Sequence, residues 1–132
     1  MGRIRENIIE IRERETMINI KELVEEVLSR HFDDLNTKTT RNQITREISI
    51  LLNDLSVRRF VRDYKVTCNE INNSTEIIDK CWIVVDVMIT SEYLNIRRLR
   101  TVMLTKGGID QKIKGKQIFS DIDPYGEENW EE

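Results

Sequence analysis

Cys68, Cys81, the single histidine His31 and a scatter of carboxylates are the side chains here that could carry covalent or metal chemistry. Two thiols and one imidazole do not complete a zinc set. Nucleophilic use of Cys68 needs a base beside it, and no motif brings His31 there. His31 closes a helical pattern and reads as a cation at the negative end of a helix dipole. Cys68 alternates with Tyr64 and Val66 and reads as a small core residue. Asp121 and Asp123 lack the glycine and glutamate spacing of a calcium loop. The chain is therefore expected to be no enzyme and to hold no metal, cofactor or small-molecule substrate.

Polar and cationic groups remain. Arg58, Arg59 and Arg62, joined by Arg97, Arg98 and Arg100, could make one basic face for phosphate, because several cations release counterions on binding. Aromatic side chains for base stacking are sparse around them, with only Phe60, Tyr64 and Tyr93 in range. A small nucleic-acid-binding regulator using that face is the alternative reading, and a solvated face or protein interface the leading one. The run Cys68-Asn69-Glu70-Ile71-Asn72-Asn73-Ser74-Thr75-Glu76-Ile77-Ile78-Asp79 says more. Adjacent asparagines tolerate left-handed backbone and cap turns with their side chains, so an ordered loop is expected, anchored by Ile77 and Ile78.

The 132 residues, 39% of them hydrophobic, suit one domain burying roughly two thirds of its unfolded surface. Charge is plentiful at 34%, yet 21 bases against 24 acids leave only -3, which steers the chain toward neither nucleic acid nor anionic membrane. Asp121, Asp123, Glu127, Glu128, Glu131 and Glu132 make the C-terminus acidic and the remainder mildly basic. No apolar run is long enough to span a bilayer, and the start Met1-Gly2-Arg3-Ile4-Arg5-Glu6 lacks the hydroxyl residue of a myristoylation signal. A reducing, intracellular place of synthesis is expected.

Three periodicities arrange these residues. Residues 1–18 form an arm of open conformation, since Ile4, Ile8 and Ile11 make a narrow helical stripe while Ile9 and Ile11 fit a strand equally well. Ile20, Leu23, Val24, Val27 and Leu28 predict a helix over 20–31, with Asn19 and Glu22 as its capping pair. Thr40 and Gln43 cap a second helix over 41–55, on which Ile44, Ile48, Leu51, Leu52 and Leu55 form the stripe. A charge at Leu51 is expected to unfold the domain. From Tyr64 the period becomes two, and Tyr64, Val66 and Cys68 share one face. Ile83, Val85, Val87 and Ile89 define a central strand. Leu94 to Leu104 supply a third beta-prone run whose Arg97, Arg98 and Arg100 suit a charge-guarded edge. Residues 105–132 read as an acidic extended tail, apart from a short strand option at Gln117-Ile118-Phe119.

Helix two leading into Asp63-Tyr64-Lys65-Val66-Thr67-Cys68, the Asn-Asn loop ending Ile78-Asp79, and Val84-Val85-Asp86-Val87-Met88-Ile89 together resemble the C-terminal domain of contractile-tail sheath proteins. The family loop reads Cys-Asp-Glu-x-Asn-Asn-Thr-Pro-x-x-Ile-Asp. Cys68, Glu70, Asn72, Asn73, Ile78 and Asp79 agree with it, while Asn69, Ser74 and Thr75 depart. Leu94-Asn95-Ile96-Arg97-Arg98-Leu99 is similar to the family's final strand, so the resemblance covers about residues 20–104. The large outer part of a sheath protein has no counterpart here, Ser91-Glu92-Tyr93 replaces a Pro-Ala-basic step, and a tail follows Thr105. The resemblance thus implies a stand-alone relative of the assembly domain, a virion protein made in the host cytoplasm.

What it implies physically is strand exchange, in which a neighbour's arm adds main chain to an open sheet margin. The expected fold is α+β, two helices over a small, mainly antiparallel sheet of two or three strands, completed by neighbours. Tyr64, Val66, Cys68, Leu94, Ile96, Arg97, Arg98, Leu99 and Arg100 are the expected partner-binding residues. Either Leu94 to Leu104 or the arm Arg3 to Ile20 pairs with another subunit, or the third strand folds back. Sheath, baseplate or neck proteins and further copies of the chain are the expected partners.

Overall fold

The computed structural model describes residues 2–105 and 117–123. Elements run α1 (Gly2–Ser29), α2 (Lys38–Val57), β1 (Val61–Thr67), α3 (Thr75–Asp79), β2 (Trp82–Ser91), β3 (Ile96–Leu104) and β4 (Ile118–Asp123). The four strands form one antiparallel sheet in the order β1-β2-β3-β4. Its layers are those of an α+β domain, with α2 against β1 and α1 against β3 and β4.

The N-terminal stretch is helical. α1 runs without a break from Gly2, so Asn19 and Glu22 lie inside it and cap nothing. Its core side is Met17, Ile20, Val24, Val27 and Leu28, continued upstream by buried Glu13. Arg97 and Asn95 donate to that carboxylate at 2.6 and 3.0 Å, fastening the middle of the helix to the start of β3. Burial alone would raise the Glu13 carboxyl, but hydrogen bonds with Ser91, Arg97 and Asn95 outweigh it and hold the group below its ordinary range.

α2 starts earlier than the capping-box spacing indicates. Thr37 is its N-cap, its hydroxyl accepting from the Thr40 backbone N–H at 3.2 Å. Ile44, Ile48, Leu52 and Leu55 face inward, whereas Leu51 is only half-buried at the stripe's margin. Each fully buried aliphatic side chain contributes about 1.5 to 3 kcal/mol, so Leu52 carries the role expected of Leu51.

On the sheet, Tyr64 and Val66 of β1, Ile83, Val85, Val87 and Ile89 of β2, Leu99 and Met103 of β3, and Ile118 and Ile122 of β4 belong to the helix-covered core. Strand β2 is central, as its apolar alternation indicates. The sheet has four strands rather than two or three, because residues 118–123 pair with Arg98 to Met103 and make β3 internal. The arginines of β3 therefore guard no edge. The Gly107-Gly108 break, Tyr125, Trp130 and the last four glutamates lie outside the described residues.

Candidate functional site

The Asn-Asn loop is densely hydrogen-bonded, and it works on the open end of β2. Strand β1 stops opposite Asp86, so among the described residues the margin of β2 from Trp82 to Val85 has no strand beside it on that side. Asn73 fills the gap with its side chain, which accepts from the Val84 N–H at 2.8 Å and donates to the Val84 carbonyl at 2.9 Å. Two bonds to one residue reproduce the pairing of an antiparallel ladder. Asn73 is 1% exposed, so these groups have no water to fall back on.

A second amide backs the first. Asn36, in the α1–α2 connection, donates to Asn73 Oδ1 at 3.0 Å and to the Trp82 carbonyl at 2.7 Å. Buried Arg41 of α2 then donates to Asn36 Oδ1 at 2.6 Å. Asn72 faces the other way, donating to the Thr67 carbonyl at 2.7 Å and to Asp86 at 3.1 Å while accepting from the Asn69 N–H. Ser74 caps α3 by accepting from Ile77 N–H. Ile77 and Ile78 are only half-buried, so the anchoring expected of them is done by amides. Asn36 and Arg41 carry no local motif, and only a three-dimensional neighbour relation reveals them.

Asp86 ties this loop to β3. Arg100 grips it with two bonds, Nε to Oδ1 at 2.7 Å and Nη2 to Oδ2 at 2.9 Å, on the sheet face away from the helices. Arg97 points the opposite way, into α1, as strand alternation requires. Arg58 pairs with Asp54 at 2.9 Å and lies over the Phe60 ring. The arginines expected on one basic face are thus split, Arg97 lying on the helix-covered side and Arg100 on the other, and Arg58, Arg97 and Arg100 are each paired with a carboxylate.

The other expected partner-binding residues divide similarly. Tyr64 and Val66 sit half-buried on β1, whose outer margin hydrogen-bonds no other strand among the described residues. Cys68 is buried beyond the end of β1, and burial pushes its thiol up to about 12, the effect of Arg41 being smaller and opposite. It stays protonated at neutral pH. Leu94 is exposed at the β2–β3 hairpin tip, with φ of 68° in the left-handed region. Ile96 is exposed, Leu99 is wholly inside the core, and Arg98 and Arg100 share the uncovered face. Leu94 to Leu104, a candidate donated strand, is folded back between β2 and β4, and Arg3 to Ile20, the other candidate, belongs to α1.

No family model, curated protein or solved structure matches this chain.

Among the described residues, no group of three or more His, Cys, Asp or Glu side chains is placed to hold a metal ion. No helix among the described residues is long and apolar enough to cross a membrane. His31 has both ring nitrogens engaged, Nδ1 at 2.8 Å from Asp34 and Nε2 at 2.6 Å from Glu47. It clamps the α1–α2 connection to α2 rather than serving as a simple helix cap.

Proposed function

We propose that this protein is a structural virion component of a contractile-tailed phage, seated at the tail sheath, baseplate or neck, which joins subunits by accepting a strand on its sheet. The observation that carries the reading is the outer margin of β1. Val61 to Thr67 is an edge strand whose Tyr64 and Val66 remain half-buried, so an added strand would both satisfy main-chain groups and complete apolar cover. The order of helices, β1, asparagine loop, β2 and β3, with its resemblance to the sheath assembly domain, supports the tail setting. With Leu94 to Leu104 built into its own sheet, the chain is read as receiver rather than donor.

Several new main-chain bonds are needed, since each adds only about 0.5 to 1.5 kcal/mol net. Strand β1 also carries a register shift against β2 between Val61 and Asp63, with Asp63 Oδ1 accepting from the Tyr64 N–H at 2.8 Å. Such irregularity discourages unwanted edge pairing in the isolated chain. Mass spectrometry of purified particles should find the chain at fixed copy number. Amide exchange across Val61 to Thr67 should then slow at least about tenfold on assembly. Absence from particles, or β1 amides that exchange equally in both states, would sink the reading.

A further inference from the structure

α1 has a second apolar face, turned away from the domain. Its core side is Met17, Ile20, Val24, Val27 and Leu28. At 3.6 residues per turn, Ile8, Ile11 and Ile18 fall on the opposite side, where they are 51, 48 and 42% exposed. With Glu15 among them, their positions repeat in steps of three, four and three, the spacing of a two-helix seam. A single exposed isoleucine is ordinary, but three in one line form a patch. From Ile8 to Arg12 only Ile9 is even half-buried, and a helix end with so little packed beneath it is marginal in water.

We propose that this seam binds a second copy of the protein, α1 against α1 in antiparallel orientation. Glu15 decides the direction. In a parallel pair it would face its own counterpart, setting two like charges in an apolar seam. In the antiparallel pair, with Ile8 opposite Ile18 of the second copy, Glu15 lies opposite Ile11 and between that copy's Arg12 and Arg14. Both arginines are exposed in the single chain, Arg12 resting 3.4 Å from Glu92 at the surface. The same patch serves both copies, so the contact closes as a dimer. Because the seam lies opposite the core side of α1, the β1 margin stays open and the dimer presents two strand-accepting edges.

One short seam is a small interface, so dissociation on the order of micromolar is expected. Sedimentation equilibrium of the full chain should show a concentration-dependent monomer and dimer. Ile11→Asp, a change at a position exposed in the single chain, should leave thermal unfolding intact and weaken the dimer roughly a hundredfold or more, since each copy loses an anchor. In a Cys81→Ser background, oxidising a mixture of Ile8→Cys and Ile18→Cys chains should cross-link one to the other, with neither linking to itself. A wild-type chain that stays monomeric at roughly a hundred times the expected dissociation constant, or Ile11→Asp chains that dimerise like wild type, would overturn the proposal. Ile8→Cys chains linking to one another would overturn the antiparallel pairing. Strand acceptance is a separate contact: Ile11→Asp should leave the exchange behaviour of β1 unchanged.

Discussion

Asn73 uses a side chain where most sheets use a neighbouring strand, and the cost of losing it should be correspondingly large. Asn73→Ala strips partners from the Val84 N–H and carbonyl and from Asn36, all inside the protein. A loss of about 2 to 4 kcal/mol is expected, read as a lower urea midpoint with an unchanged slope. Cys68→Ala, which removes only a small buried group, should cost less. His31 gives a pH signature. Burial opposes its charge, but hydrogen bonds to Glu47 and then Asp34 prevail and raise it above the ordinary 6.5. The stabilisation is therefore complete below that value and is lost as pH rises through the higher folded one. Stability should fall across this window in the wild type, and His31→Gln should flatten the curve. The adjacent asparagines were readable in sequence as an ordered turn. Their supports were not, because Asn36 and Arg41 reach the loop from another part of the chain.

Leu51 and Leu52 show how far periodicity carries at the level of an element. Both fit an apolar stripe, yet the helix turns Leu52 inward at 1% exposure and leaves Leu51 at the margin. Leu52→Asp should abolish cooperative folding by circular dichroism, while Leu51→Asp should leave a folded, less stable domain. The two helices and the central strand were legible because their patterns are long and regular. The first half of α1 was ambiguous because Ile8 and Ile11 lie on its exposed side, while a charged residue, Glu13, occupies the buried side. Strand β3 looked like an edge because Arg97, Arg98 and Arg100 are costly in a sheet interior unless paired. Glu13 and Asp86 supply the pairing for Arg97 and Arg100 from afar, and β4 does not stand out in a tail dominated by polar residues.

At the scale of the whole molecule, the sheet packs against the helices, and two kinds of surface stay open among the described residues. One is main chain at the β1 margin, and the other is the isoleucine seam of α1. Function was less legible than fold, since an edge strand is defined by what does not lie beside it. The amide clasp on Val84 has one more consequence. Shifting β2 by a single position along β1 would turn its buried valines to the outside and carry Val84 out of Asn73's grasp, so both penalties fall on the same error. The clasp thus acts as a gauge of alignment: a nascent hairpin that has slipped cannot latch, and only the correctly indexed one is locked.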